Sequence, residues 1–256
     1  VVGLTILPRQ IYKVGRLPRF VVASNRKEFA MPTQHDTVIQ PIECTVMNFE
    51  LKLLDQYWFS DSRNPDGNPD DTTSHGKISL IINGLEMSGC DDSGTEYGIN
   101  QAAVQLLKSI FIDHEMDIIM PMIPHGCSII GTCPNCIIDF TVTHLDGQNI
   151  KLGDFYVTGG KNGEDRNRYA NHVCVVSLND YIKQIVGFAD KSLRFLPLEK
   201  VGEQYEIDAY MSVRRFHDKL LNLAYKYLDN HILTDEMKQI AREANCFGEI
   251  GNFTPV

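Results

Sequence analysis

Two dipeptides, Asn83-Gly84 and Asp146-Gly147, do most to limit what this chain can fold into. Each stands between stretches that alternate apolar and polar residues. Asn-Gly or Asp-Gly in that setting is a strong hairpin signal, because these residues tolerate the positive φ that a tight turn between twisted strands requires. Lys77 to Ile82 (KISLII) leads into the first turn, and Leu85-Glu86-Met87 begins the return. Cys136 to His144 (CIIDFTVTH) leads into the second, with Asn149 to Val157 as its partner. Strands joined by such short turns pair antiparallel, which argues against a doubly wound parallel sheet and its long crossovers.

The other segments fit the same class. Phe49 to Phe59 (FELKLLDQYWF) places Phe49, Leu51 and Leu53 on one face and predicts a strand. Ile99, Ala102, Ala103, Leu106, Leu107, Ile110 and Phe111 recur at helical spacing, so a helix is expected from about Ile99 to His114, where His114 would favour the negative end of the helix dipole. Thr158 to Asn171 reads as a long polar loop, and His172 to Ser177 as a strand. Ser177 with Asp180 forms a capping pattern for a helix whose apolar face is Tyr181, Ile185, Phe188 and Ala189. Further helices are expected from Ile207 to Asn230 and from Thr234 to Asn245. The predicted fold is α+β: an antiparallel, hairpin-rich sheet with one early helix and two to three C-terminal helices. No internal repeat is visible in the sequence.

Charge divides the chain. Residues 1–46 hold six basic residues and three acids, a net of +3, against −9 for all 256 residues, so 47–256 carries −12. The leading segment has two breaking prolines, Pro8 and Pro18, and no sustained period; its basic residues follow its apolar stretch, the reverse of a secretory signal. The expected organisation is therefore a poorly structured or non-native extension over 1–46, a single α+β domain over 47–230, and a C-terminal helical tail over 231–256. A pI near 5.3 disfavours direct nucleic-acid binding, and the absence of an 18-residue apolar run disfavours a membrane partner. Seven cysteines without a disulfide framework suit a reducing, cytoplasmic setting.

Few motifs carry chemistry. In PHGCSIIGTCPNC, His125, Cys127, Cys133 and Cys136 could complete a tetrahedral zinc shell, but a second CxxC is missing and Cys136 starts an alternating strand. Cys127 beside His125 could also be imagined as the nucleophile of a hydrolase. There is no GxSxG, P-loop, GxGxxG or HExxH. These observations favour a non-catalytic protein with no cofactor, the zinc-stabilised interaction module and the cysteine hydrolase being the alternatives. Two acidic, turn-rich stretches stand out instead. Asp61, Asp66, Asp70 and Asp71 lie in one and Asp91, Asp92 and Glu96 in the other; if the two adjoin, they form a negative patch suited to a basic partner. The first stretch superficially follows a calcium loop but has Ser62 and Thr73 where the first and the bidentate ligands belong.

From Met47 the order of landmarks resembles small bacterial immunity proteins of polymorphic toxin systems. These landmarks are MNFELKLLDQYWF with its acidic loop, SHGKISLIINGLEMS, YGINQAAVQLLKSIFIDHE, IPHGCSIIGTCPNCIIDFTVTHLDGQNIKL and VVSLNDYIKQIVGFADKSLRFL, and the likeness extends to the helix from Asp208 to Leu228. Cys-Pro-x-x-Ile-Ile-Asp at Cys133 to Asp139 is its most distinctive element; Cys136 stands where that pattern has Gly, which detracts from the zinc alternative. The resemblance implies an immunity protein that binds a cognate toxin domain, such as a nuclease with a basic cleft, and neutralises it by occluding the active site. It transfers no contact residue.

Overall fold

In the computed structural model of the chain, the residues described are 49–58, 73–88, 96–117, 120–126, 137–159, 165–169, 172–198 and 204–245. All belong to the unit Cys44–Val256; the other unit, Val1–Glu43, lies outside them. The fold is α+β, with antiparallel sheets and, among the described residues, four helices.

The first sheet contains β1 (Phe49–Tyr57), β2 (His75–Ile82), β3 (Leu85–Glu86) and β4 (Tyr97–Gly98), and helix α1 (Ile99–Ser109) follows directly. β2 is central: β1 pairs along one side, while β3 and β4 pair with the C- and N-terminal ends of its other side. The second sheet contains β5 (Ile138–His144), β6 (Asn149–Gly159), β7 (Asp165–Tyr169) and β8 (Cys174–Ser177), followed directly by α2 (Leu178–Phe195). Here β6 is central, β5 lies along one side, and β7 and β8 pair with the C- and N-terminal ends of the other. Strand order, direction and the final helix are the same in both, so the body is a duplicated ββββα unit that the sequence does not reveal. Helices α3 (Gln204–Asn230) and α4 (Asp235–Glu243) complete it.

Both hairpins form. Asn83 and Gly84 have φ of 53° and 77° between the paired Ile82 and Leu85, the two positive values of a type I′ turn. At the second, Asp146 Oδ1 accepts from the Gln148 and Asn149 amides, each at 2.7 Å, and the Leu145 amide donates to Asn149 O. The Asp side chain thus closes a loop longer than two residues. The Ser177 hydroxyl caps α2 by accepting from the Asp180 amide, and Thr234 caps α4 by accepting from Met237.

Two expectations need correction. Asp165–Tyr169, read as loop, is β7; it pairs through its backbone with β6 and has no apolar alternation to announce it. Helix α1 ends at Ser109 rather than His114. The Ile110 carbonyl, which would have accepted the His114 amide, instead accepts from His144 Nε2 at 3.0 Å, and the His114 amide donates to Val142 O. His114 is therefore not a helix-terminal residue but part of a bridge to β5.

The chain between α1 and β5 joins the two sheets. It bridges β5 at His114↔Val142 and Ile123↔Ile138, and β4 at Tyr97↔His125. Asp139, fully buried on β5, fixes this path. Its carboxylate accepts from the backbone amides of Asp117, Met122 and Phe140 at 2.7–3.0 Å and from His114 Nε2 at 2.9 Å. A buried carboxylate is tolerated because its oxygens are so fully bonded.

One core unites the elements. Ile78, Leu80 and Ile82 of β2, the buried face of α1, Phe140 and Phe155 of the second sheet, and Tyr181, Ile185 and Phe188 of α2 belong to the same cluster, as do Met237 and Ala241 of α4. Gln184 of α2 accepts from the Leu51 amide at 3.3 Å, covering an outward-facing donor of β1. His217 of α3 is fully buried and donates through Nε2 to Ala189 O at 2.9 Å. Burial, with the nearby Arg214 guanidinium acting in the same direction, pushes His217 down to about 4. The folded protein keeps this ring neutral between pH 6.5 and 4 while the unfolded chain protonates it, so stability present above pH 6.5 is lost as pH falls towards 4. Wild type should lose about 3 kcal/mol more than His217→Gln between pH 7 and pH 4, measured by urea unfolding.

Candidate functional site

The first acidic stretch leaves and re-enters the fold at the start of β2, and the second, which leaves from β3 at the far end of β2, re-enters there through β4. Tyr57, the last residue of β1, pairs with His75, the first of β2; His75 pairs with Gly98 of β4; and Tyr97 is bridged to His125. Four backbone segments therefore lie abreast where the connections 58–74 and 87–96 and the cysteine segment after Gly126 begin or end.

Their side chains interlock. The Tyr57 hydroxyl donates to the Glu96 carboxylate, and the Tyr57 ring stacks on His75 with centroids 6.3 Å apart and planes 22° from parallel. His75 Nδ1 lies 3.7 Å from Glu96 Oε2. Burial, then the bond and the negative charge of Glu96, raise the Tyr57 phenol well above its ordinary value, so it stays protonated and serves as a donor. His125 is lowered, first by burial and then by His75, with Glu96 opposing. Gly126 permits this packing: a Cβ there would stand 2.4 Å from His75 Nδ1. Its amide donates to Glu96 O at 2.8 Å, fixing the backbone beneath the carboxylate.

Contacts tie the neighbouring framework together. Trp58, the single tryptophan, packs on Phe195 at 5.6 Å and Tyr210 at 6.1 Å, tying the exit of β1 to α2 and α3. On the returning side, Ser74 accepts at its carbonyl from the Ile99 amide and donates through its own amide to Asn100 Oδ1, locking the start of β2 onto the start of α1. The chemistry available is that of a held carboxylate flanked by a phenol and two imidazoles.

Of the acidic residues singled out, Glu96 lies in this cluster. Asp61, Asp66, Asp70, Asp71, Asp91 and Asp92 lie outside the described residues. Of the four alternative zinc ligands, His125 is in the cluster, facing His75 and Glu96; Cys127, Cys133 and Cys136 lie outside the described residues. Among the described residues no group of three or more His, Cys, Asp or Glu could hold a metal, and no helix is long and apolar enough to cross a membrane. Sequence reasoning missed Tyr57 and His75, whose adjacency comes from strand register rather than from spacing. A separate cleft at the opposite, C-terminal end of α1 is lined by Lys108, His114, Glu115 and Met120 among others. It takes in His114, whose Nε2 is already committed to Asp139. Comparison of the chain with models of protein families, with curated proteins and with solved structures gives no match.

Proposed function

We propose that this chain is a non-catalytic immunity protein, which binds a cognate toxin domain with a basic surface and neutralises it by occluding its active site. A nuclease, whose cleft is shaped for a polyanion, is the toxin class such an inhibitor fits best. The supporting observation is that the returning end of the second acidic connection adjoins the first, with the Glu96 carboxylate beside Tyr57 and His75. These connections, 58–74 and 87–96, contain Asp61, Asp66, Asp70, Asp71, Asp91, Asp92 and Glu96 against one basic residue, Arg63.

The duplicated unit gives a measure of what the fold itself requires. The β1–β2 and β3–β4 connections have 17 and 10 residues; the equivalent β5–β6 and β7–β8 connections have four each. Chain beyond what a hairpin needs, with charge of one sign, fits recognition rather than folding. Such charge accelerates association with an oppositely charged surface and weakens as salt rises.

Expression of the chain should protect cells from the toxin encoded beside its gene. Changing Asp61, Asp66, Asp70 and Asp71 together to Asn should slow association with that toxin about tenfold or more at low salt. Lack of protection, with no complex formed, would overturn the proposal.

A further inference from the structure

We infer that α3 and α4 are an acid-sensitive cap with His217 as its trigger: protonating this ring opens the two helices away from α1 and α2 while both ββββα units stay folded.

α3 and α4 lie outside the duplicated units, and among the described residues neither takes part in strand pairing. One face of α3, with Val213, Leu220, Leu221 and Ala224, joins Met237 and Ala241 of α4 in the shared core. Helices held by side-chain packing can open as a unit at a lower free energy than the paired strands. His217 stands in the middle of that face, fully buried against α2. The Ala189 carbonyl can only accept, so Nε2 carries the hydrogen and the lone pair of the neutral ring is on Nδ1. Nδ1 is buried with no hydrogen-bond partner. A proton added there makes an N–H that finds no acceptor and a charge that finds no water. The charged groups around the ring do not compensate. Arg214, on the same helix, repels the added charge. Asp190 of α2 attracts it, but that carboxylate is paired with Arg194 at 2.7 Å. Helix α1, which also packs on α3, has one charged residue, Lys108 in its last turn. Parting α3 from α2 gives both ring nitrogens water and leaves the strand hydrogen bonds intact. The cap is therefore the least costly place for the proton to act.

The test is hydrogen exchange of the protein, read by mass spectrometry from pH 7 to pH 4 and corrected for the intrinsic exchange rate. The opening constant of α3 and α4 should rise about a hundredfold, as expected for one proton taken up by a ring at about 4 when closed and 6.5 when open. Peptides of β2, β6 and α1 should keep their protection. His217→Gln keeps a donor for the Ala189 carbonyl and takes up no proton, so its rise should stay within about threefold. Titration of the His217 ring by NMR in the wild type needs no variant, and the closed protein should keep the ring neutral at pH 5. A rise shared equally by β2 and β6 would overturn the cap. A full rise in His217→Gln, or a ring that titrates at its ordinary value in the closed protein, would overturn the trigger. No rise in the wild type would overturn both.

Discussion

Asp139→Ala is expected to lower folding stability by about 4 kcal/mol, with Asp139→Asn intermediate at about 2 kcal/mol. The carboxylate is fully buried and accepts from three backbone amides and His114. Alanine leaves all four donors without this acceptor inside the protein. Asparagine restores the shape but turns an NH2 group towards donors, so only part of the network survives. The damage is not local to β5: Asp139 holds the segment that bridges β4 at Tyr97↔His125 and thereby joins the two sheets. Urea unfolding of the three proteins would measure this, and a loss below about 1 kcal/mol for Asp139→Ala would contradict it. In the sequence Asp139 closes the Cys-Pro-x-x-Ile-Ile-Asp element, and its geometry gives that position a structural purpose.

Gly76→Ala should also cost about 4 kcal/mol, through close approach rather than hydrogen bonding. A Cβ at Gly76 would lie 2.2 Å from the Asp55 carbonyl oxygen and 2.7 Å from Ile99 Cγ1. The first obstacle is backbone of the paired strand, at the register shift between Leu53 and Asp55, and the second is the first residue of α1. Neither can retreat without parting β1 from β2 or α1 from the sheet. Gly187→Ala, in the middle of α2 with no atom within 4 Å of the added carbon, should instead stabilise by about 0.5–1 kcal/mol through helix propensity. Thermal unfolding of the pair distinguishes the two effects. Equal midpoints would show that β1 and β2 can absorb the added carbon.

The elements legible in the sequence were those whose pattern is local. Ile78, Leu80 and Ile82 alternate because one face of β2 is buried, and Asn83-Gly84 turns the chain because both residues accept positive φ. The starts of α2 and α4 follow from their Ser and Thr caps. What the sequence hides depends on distant partners. The apolar period of α1 continues through Ile110 and Phe111, yet His144, 34 residues away, takes the carbonyl that the next helical bond needed. β7 pairs through its backbone with β6 while its sequence, DRNRY, is mostly polar, so it looks like loop. The duplicated ββββα unit is hidden for a related reason: hydrogen-bonded order is shared while side chains are not. At the candidate site, Glu96 is visible as an acid in an acidic stretch. Tyr57 and His75 become its neighbours only through the register of β1 on β2.

Calorimetric titration of the purified protein with the product of the neighbouring gene, proposed to be its toxin partner, tests the central claim most directly. The expected result is a one-to-one complex whose affinity falls as salt rises from 50 to 200 mM, roughly the range over which screening of opposed surface charge becomes strong, and in which the toxin is inactive. No heat of binding at 50 mM salt, with toxin activity undiminished by excess of this protein, would contradict it.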